Sequence, residues 1–240
     1  MIKKLAVLFT VAYVATALIG CDPNKAPDAK AALEGGTTVS SSGTVMLDDQ
    51  QPSSDPIKEA PEDGDEVAVM ETEEGRIVLM FYPEVAPDHV EHFKRLIREG
   101  FYDGTRFHRV MKNYMIQGGD AKTKSMDLAE SWGTGDYVDD KGRRVQIVAE
   151  FNDVKHVRGV LSMARSGSDF DTASSQFFIL HGDVPAWDGL YTAFGRVVDG
   201  MDAVDAIATD SPPKDDNGTV FSNRAKVVSK VTIETWPLND

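Results

Sequence analysis

The chain has 240 residues and a formal net charge of -14, with 41% hydrophobic and 27% charged residues. That length allows one domain or two small ones, and the acidic surplus argues against a nucleic-acid surface, which needs a basic patch to release counterions from phosphates. Cys21 is the one cysteine, so an intramolecular disulfide is excluded and the fold must stand on its own core.

The first residues read as a sorting signal. Lys3 and Lys4 give a basic start, and Leu5 to Ile19 is apolar or small apart from Thr10, Tyr13 and Thr16. At roughly 15 residues this run is short for a bilayer span, which takes about 20, and it suits a secretory leader. It ends Leu18-Ile19-Gly20-Cys21, which resembles a bacterial lipobox. The resemblance implies cleavage after residue 20 and a lipid on the Cys21 thiol, so residues 1–20 are expected to be a lipoprotein signal peptide. Asp22 falls where enteric bacteria carry an inner-membrane retention signal.

Residues 21–65 are expected to form a flexible acidic tether. Gly35-Gly36, the run Ser40-Ser41-Ser42-Gly43 and Pro52, Pro56 and Pro61 interrupt any periodicity, and from Asp22 to Glu66 eleven acids face three bases. With few apolar residues and no aromatics, such a segment buries too little surface to offset the entropy of ordering it.

From residue 66 to 236 the patterning is that of a folded domain, leaving 237–240 as a tail. Val67 to Thr72 and Arg76 to Tyr82 read as strands around a Glu73-Glu74-Gly75 turn. Pro87 suits a first helical turn, and Val90, Phe93, Leu96 and Ile97 recur at helical spacing up to Gly100. Phe107 to Ile116 reads as extended, and Gly159 to Ala164, Gln176 to Leu180, Tyr191 to Val198 and Val227 to Thr235 read as further strands. Met201 to Ile207 reads as a second helix. Two helices among many short strands predict a mainly β barrel or sandwich.

Five motifs then occur in one order: Phe107-His108-Arg109-Val110, Met115-Ile116-Gln117-Gly118-Gly119-Asp120, Gly159-Val160-Leu161-Ser162-Met163-Ala164, Ser175-Gln176-Phe177-Phe178-Ile179 and Phe194-Gly195-Arg196-Val197. In order and near spacing they resemble the cyclophilin-type peptidyl-prolyl cis–trans isomerases. The resemblance covers about residues 66–236. It implies a closed eight-stranded antiparallel barrel with two capping α-helices and an active groove on its outer wall.

The implied reaction explains the residues. An X–Pro bond turns slowly because amide resonance sets a barrier of about 18–20 kcal/mol. In the twisted transition state the prolyl nitrogen gains a lone pair, so a donor aimed there binds the transition state better than either ground state. Arginine, always charged and forked, suits that task. The resemblance makes Arg109 the catalytic arginine and Gln117 its supporting partner. It places Tyr114, Met115, Phe178 and Trp187 in an apolar proline pocket, and makes Tyr191, where animal members have His, a further substrate-binding residue. Ala164, Arg165 and Ser166 become the edge along which a peptide lies, and Gln176 a second groove glutamine. No covalent bond changes, so no nucleophile, metal or cofactor is expected. Proline-containing unfolded or extended polypeptides are the expected partners, with the membrane reached through Cys21, no nucleic acid, and a monomeric domain. The alternative functions are a lipid-tethered, non-catalytic Pro-peptide binding module or a general chaperone.

Several residues depart from the family pattern or compete for a role. Tyr114 replaces a common Phe, Arg165 a frequent Asn and Trp187 a usual Leu. Residues 121–144 form a longer and more polar loop, with no role assigned. His108 is expected to be structural and hydrogen-bonded within the wall. His89 and His92, three apart on the first helix, are expected to be solvated. Asp215-Asp216-Asn217-Gly218 reads as a turn, since it lacks the alternating ligands of a calcium loop.

Overall fold

The structure, a computed structural model, describes residues 58–167 and 169–238; the leader, Cys21 and most of the expected tether lie outside the described residues. β1 (Glu66–Thr72) and β2 (Gly75–Phe81) form the expected hairpin, paired from Ala68–Leu79 to Thr72–Gly75. Their runs are apolar without alternation because both faces are covered. Ala68, Met70, Ile77, Leu79 and Phe81 enter an inner cluster, while Val67, Val69, Val78 and Met80 enter an outer one.

The run Phe107 to Ile116 is a hairpin rather than one extended piece. β3 (Arg109–Met111) and β4 (Met115–Gly118) pair through Arg109–Gln117, Val110–Ile116 and Met111–Met115. The chain reverses at Asn113, whose φ is 68°. Asparagine is one of the few non-glycine residues that visits this left-handed region readily, and the apolar residues on both sides mask the turn. The remaining strands are β5 (Val160–Met163), β6 (Phe177–Leu180), β7 (Ala193–Asp199) and β8 (Val228–Thr235).

The eight strands form one curled antiparallel sheet in the order β3-β4-β6-β5-β7-β2-β1-β8. Among the described residues β3 and β8 share no ladder. The segment just before β3 does meet the start of β8 and its approach: Phe107 N–H donates to Lys226 O at 3.0 Å, and Val228 N–H donates to Thr105 O at 2.8 Å.

The helices are α1 (Pro87–Arg98) and α2 (Met201–Asp210). Val90, Phe93, Leu96 and Ile97 of α1 and Ala203, Val204, Ile207 and Ala208 of α2 all enter the inner cluster. Phe93 is fully buried there, with ring centroids of Tyr102, Phe194 and Phe177 at 4.8, 5.2 and 5.5 Å. Residues at the end of the expected tether sit on the domain: Gly64 N–H donates to Trp236 O, and Trp236 N–H to Asp65 O, each at 2.8 Å. Among the described residues no helix is long and apolar enough to cross a membrane.

The α1 histidines are buried, against the expectation of solvation. Ala86 offers α1 no side-chain cap. The carboxylate of Glu150 takes that place, accepting the backbone N–H groups of Asp88 and His89 at 3.1 and 2.9 Å and contacting His89 Nδ1 at 2.6 Å. His92 Nε2 bonds Ser174 O at 2.8 Å, while Arg95 bonds its Nδ1 at 2.7 Å. Helical spacing did not reveal this, because the cap and the acceptor come from distant loops.

This burial sets an acid limit. Burial and then the Arg95 charge push His92 down to about 4, and burial also lowers His108, His156 and His181. The unfolded chain therefore takes up protons from about pH 6.5 downward that the folded protein refuses. Glu150 adds a lower limb. Burial alone would raise it, but the hydrogen bonds from the His89 ring and from the backbone of His89 and Asp88 leave it below the usual carboxylate value. Its contribution is lost as pH falls through that lowered value. Thermal unfolding across pH should show the melting temperature falling from about 6.5 downward. His92→Gln should shallow the limb between about 6.5 and 4, and an unchanged slope would show that His92 titrates normally.

Candidate active site

β3 and β4 set two side chains opposite one another. Arg109 Nη1 donates to Gln117 Oε1 at 3.1 Å. Gln117 Nε2 in turn donates to Gln176 Oε1 at 2.9 Å. Gln176 Nε2 donates to the carbonyls of Gly133 and Gly135 at 3.1 and 2.8 Å. Three expected residues are thus one chain of hydrogen bonds, and its far end is the loop that had no assigned role.

The other side of Arg109 is held by groups that sequence reading did not pick out. Nε donates to Asn217 O at 2.6 Å, and Nη2 lies 3.3 Å from Met111 Sδ. Asn217 belongs to the expected turn, where Asp215 Oδ1 accepts the backbone N–H groups of Asn217 and Thr219 at 3.1 and 3.0 Å. Gly218 is needed there twice. Its φ is +83°, and a Cβ would lie 2.6 Å from Met111 Cγ and 2.8 Å from Val110 O. The turn motif was legible; that its carbonyl faces an arginine more than a hundred residues away was not.

Beside this chain lie three rings. Phe178, paired with Gln117 across β4 and β6, has Tyr191 and Trp187 at centroid distances of 5.3 and 5.4 Å, both near perpendicular. Trp187 and Tyr191 are 5.5 Å apart. Met115 and Phe178 retain 1% and 3% exposure, so they form a floor, and Trp187 and Tyr191 are the half-buried walls. Tyr114, on the β3–β4 turn, is 41% exposed and stands at the lip. Ala164 is half-buried, with its N–H donating to Gln176 O at 2.8 Å. Ser166 is exposed, and the Thr172 hydroxyl engages both its N–H and its carbonyl at 2.9 Å. Arg165 is half-buried and stacked between rings.

Behind the floor is a polar cluster that sequence reading missed. Ser162 Oγ bonds His156 Nε2 at 2.9 Å, and His156 Nδ1 lies 3.4 Å from Asp188 Oδ1. The atom order is that of a hydrolase triad, but Ser162 is fully buried, so no carbonyl can reach it. The imidazole instead stacks on Phe178, with centroids 6.3 Å apart and planes at 27°. Burial lowers the His156 pKa, with Asp188 opposing that, so a neutral ring backs the floor.

His108 is buried within the wall and packs against the loop near Gly133. Burial lowers its pKa, with the Asp120 charge opposing that shift. Among the described residues no group of three or more His, Cys, Asp or Glu is placed to hold a metal.

A fixed cationic donor beside an apolar, ring-lined recess can do one kind of chemistry well: bind a small apolar ring and stabilise a lone pair or oxygen at its edge. The comparisons agree. The family model "Cyclophilin type peptidyl-prolyl cis-trans isomerase/CLD" matches residues 67–236. A "Probable peptidyl-prolyl cis-trans isomerase" of Brucella abortus is 41% identical over 177 residues, covering 72% of this chain and 84% of that one. "Peptidyl-prolyl cis-trans isomerase B" of Bacillus subtilis is 40% identical over 127 residues, covering 53% and 79%. A Cryptosporidium parvum cyclophilin-type isomerase, crystallised in the presence of the dipeptide Ala-Pro, superposes with a TM-score of 0.59 at 26% identity, covering 70% of this chain and 99% of that one. With a family model matched over residues 67–236 and a relative 41% identical over 177 residues, the chain belongs to the cyclophilin-type peptidyl-prolyl cis–trans isomerases.

Proposed function

We propose that this isomerase works outside the cytoplasmic membrane, tethered by a lipid on Cys21, and speeds X–Pro isomerisation in proteins folding there. The observation that carries the catalytic part is the guanidinium of Arg109 fixed between Asn217 O and Gln117, beside the rings of Phe178, Trp187 and Tyr191. The proline ring enters the recess over Phe178 and Met115. Arg109 then meets the substrate amide as it twists, donating toward the lone pair that develops on the prolyl nitrogen. Gln117 and Gln176 hold the donor in place, so little reorganisation is left for the reaction itself. The reading takes the curled sheet as a closed barrel, supported by the bonds from Phe107 to Lys226 and from Val228 to Thr105, and the domain as a monomer.

X–Pro isomerisation takes tens of seconds uncatalysed and can limit folding, which gives such an enzyme work at a membrane across which chains emerge unfolded. An exchange or protease-coupled assay with Xaa-Pro peptides tests the catalytic part. Acceleration is expected, and binding without turnover would move the reading to a holding module.

The anchor is tested apart from catalysis. Labelled fatty acid should enter the full-length protein in a bacterial host and be absent from Cys21→Ala. No label in the wild type would leave a secreted enzyme without a lipid. A single acyl chain holds a membrane only weakly, so stable attachment needs the multi-chain lipid of bacterial lipoproteins.

A further inference from the structure

Arg165 stands at the end of the aromatic line that starts at Phe178. Its Nε donates to Leu190 O at 3.1 Å and its Nη1 to Gly167 O at 2.9 Å. Its guanidinium carbon sits 4.5 Å from the Phe170 ring and 4.9 Å from the Tyr191 ring. Phe170 meets Phe151 edge-on at 5.1 Å, and these rings are 37% and 42% exposed. Two backbone carbonyls and two ring faces therefore fix the fork before any ligand arrives.

What the fork lacks is an anion. Arg98, Arg143, Arg144 and Arg158 each reach a carboxylate. Arg165 has none among the described residues, in a chain of net charge -14. Two of its five N–H donors are used on carbonyls, and the others keep the geometry that accepts a carboxylate. A cation held rigidly against ring faces, unpaired in an acidic protein, is suited to a substrate charge rather than to holding the fold together.

We propose that Arg165, with Phe170 and Tyr191 as its seat, is a specificity-determining residue that selects substrates carrying Asp or Glu within three residues of the proline. The proposal rests on reading the groove as the isomerase site. The reach follows from the spacing: Phe178 to Tyr191 is 5.3 Å and Tyr191 to the guanidinium 4.9 Å, which two to three residues of extended chain span at about 3.3 Å each. Pre-fixing the guanidinium matters, because an exposed ion pair otherwise loses most of its worth to side-chain entropy.

The test uses matched peptides with Glu, Gln or Lys at each position from three before to three after the proline. Both kcat/KM for isomerisation and affinity by tryptophan fluorescence are measured. At one position the Glu peptide should exceed its Gln twin by about fivefold at low salt, with Lys below Gln, and the ratio should shrink as salt rises. In Arg165→Gln the Glu-to-Gln ratio should fall to about one, whatever happens to the common rate. Arg165→Lys should keep part of the ratio, since the charge survives without the stacked fork, and Phe170→Ala should lower it by unseating the fork. A ratio of one at every position in the wild type, or a wild-type ratio that persists in Arg165→Gln, overturns the proposal. Failure to accelerate any peptide would overturn the isomerase reading instead, and affinity would still read the Glu-to-Gln ratio.

Discussion

Arg109→Ala should lower kcat/KM on an Xaa-Pro peptide by about 10²–10³-fold, the usual effect of removing one transition-state donor, while leaving the domain folded. The fold survives because Arg109 is only half-buried on a three-residue strand, and its β3 neighbours Val110 and Met111 keep their pairing with β4. The rate does not survive because nothing else described at the recess supplies a fixed cation at that place. Arg109→Lys separates charge from geometry. An ammonium keeps the charge but cannot donate to Asn217 O and Gln117 Oε1 from one rigid plane. It should recover no more than about a tenth of the lost rate, a minor share by the same electrostatic reasoning. KM should move less than kcat, since the ring floor proposed to receive the proline is untouched. Equal rates for wild type and Arg109→Ala, with unfolding curves that coincide, would remove Arg109 from the mechanism.

Much of this site was legible in the sequence, and the reason is local. Arg109 and Gln117 stand on one short hairpin, and Gln176 and Phe178 lie two apart on β6 and its approach, so compact motifs carry them. The strands were legible where both faces are covered, as in Val67 to Met70, because a continuous apolar run survives any register. The Phe107 to Ile116 run failed because its turn is built on Asn113 rather than on glycine, with strand-formers on either side. What stayed hidden was every contact made by a backbone group or across a long loop. Asn217 reaches Arg109 through a carbonyl, and carbonyls carry no sequence signature. Glu150 caps α1 from 61 and 62 residues away, and one glutamate among many acids announces nothing. His156 became the backing of Phe178 only once β5 and β6 lay side by side. The loop from Ala121 to Arg144 was unreadable for the same reason: its service to the groove runs through the carbonyls of Gly133 and Gly135.

That loop leads to the second large effect. Asp120 is fully buried at the end of the motif that carries Gln117. Its Oδ2 accepts Gly133 N–H at 2.5 Å and Gly135 N–H at 3.1 Å, and its Oδ1 accepts Lys122 N–H at 2.7 Å. A side chain on Gly135 would collide with Oδ1, so glycine there is what lets the carboxylate reach the backbone. One carboxylate therefore folds the loop and turns the Gly133 and Gly135 carbonyls toward Gln176. Asp120→Ala leaves those N–H groups without their acceptor, Gly135 among them in a buried position. Each unmet buried donor costs about 1–3 kcal/mol. The substitution should cost roughly 2–4 kcal/mol of unfolding free energy, a large part of a typical domain's 5–15 kcal/mol. Activity should fall as well, by about tenfold, because a misplaced positioning group erodes the geometry on which catalysis depends. Asp120→Asn keeps one oxygen and sets an NH2 group against the N–H donors, so about half of the stability should return. The two readouts divide the roles. Stability lost with kcat/KM intact, at a temperature where the variant is folded, would make the loop a structural cover alone. Stability and kcat/KM falling together, with Gln176→Ala reproducing only the loss of activity, would show that the loop acts on Arg109 through Gln176 and Gln117.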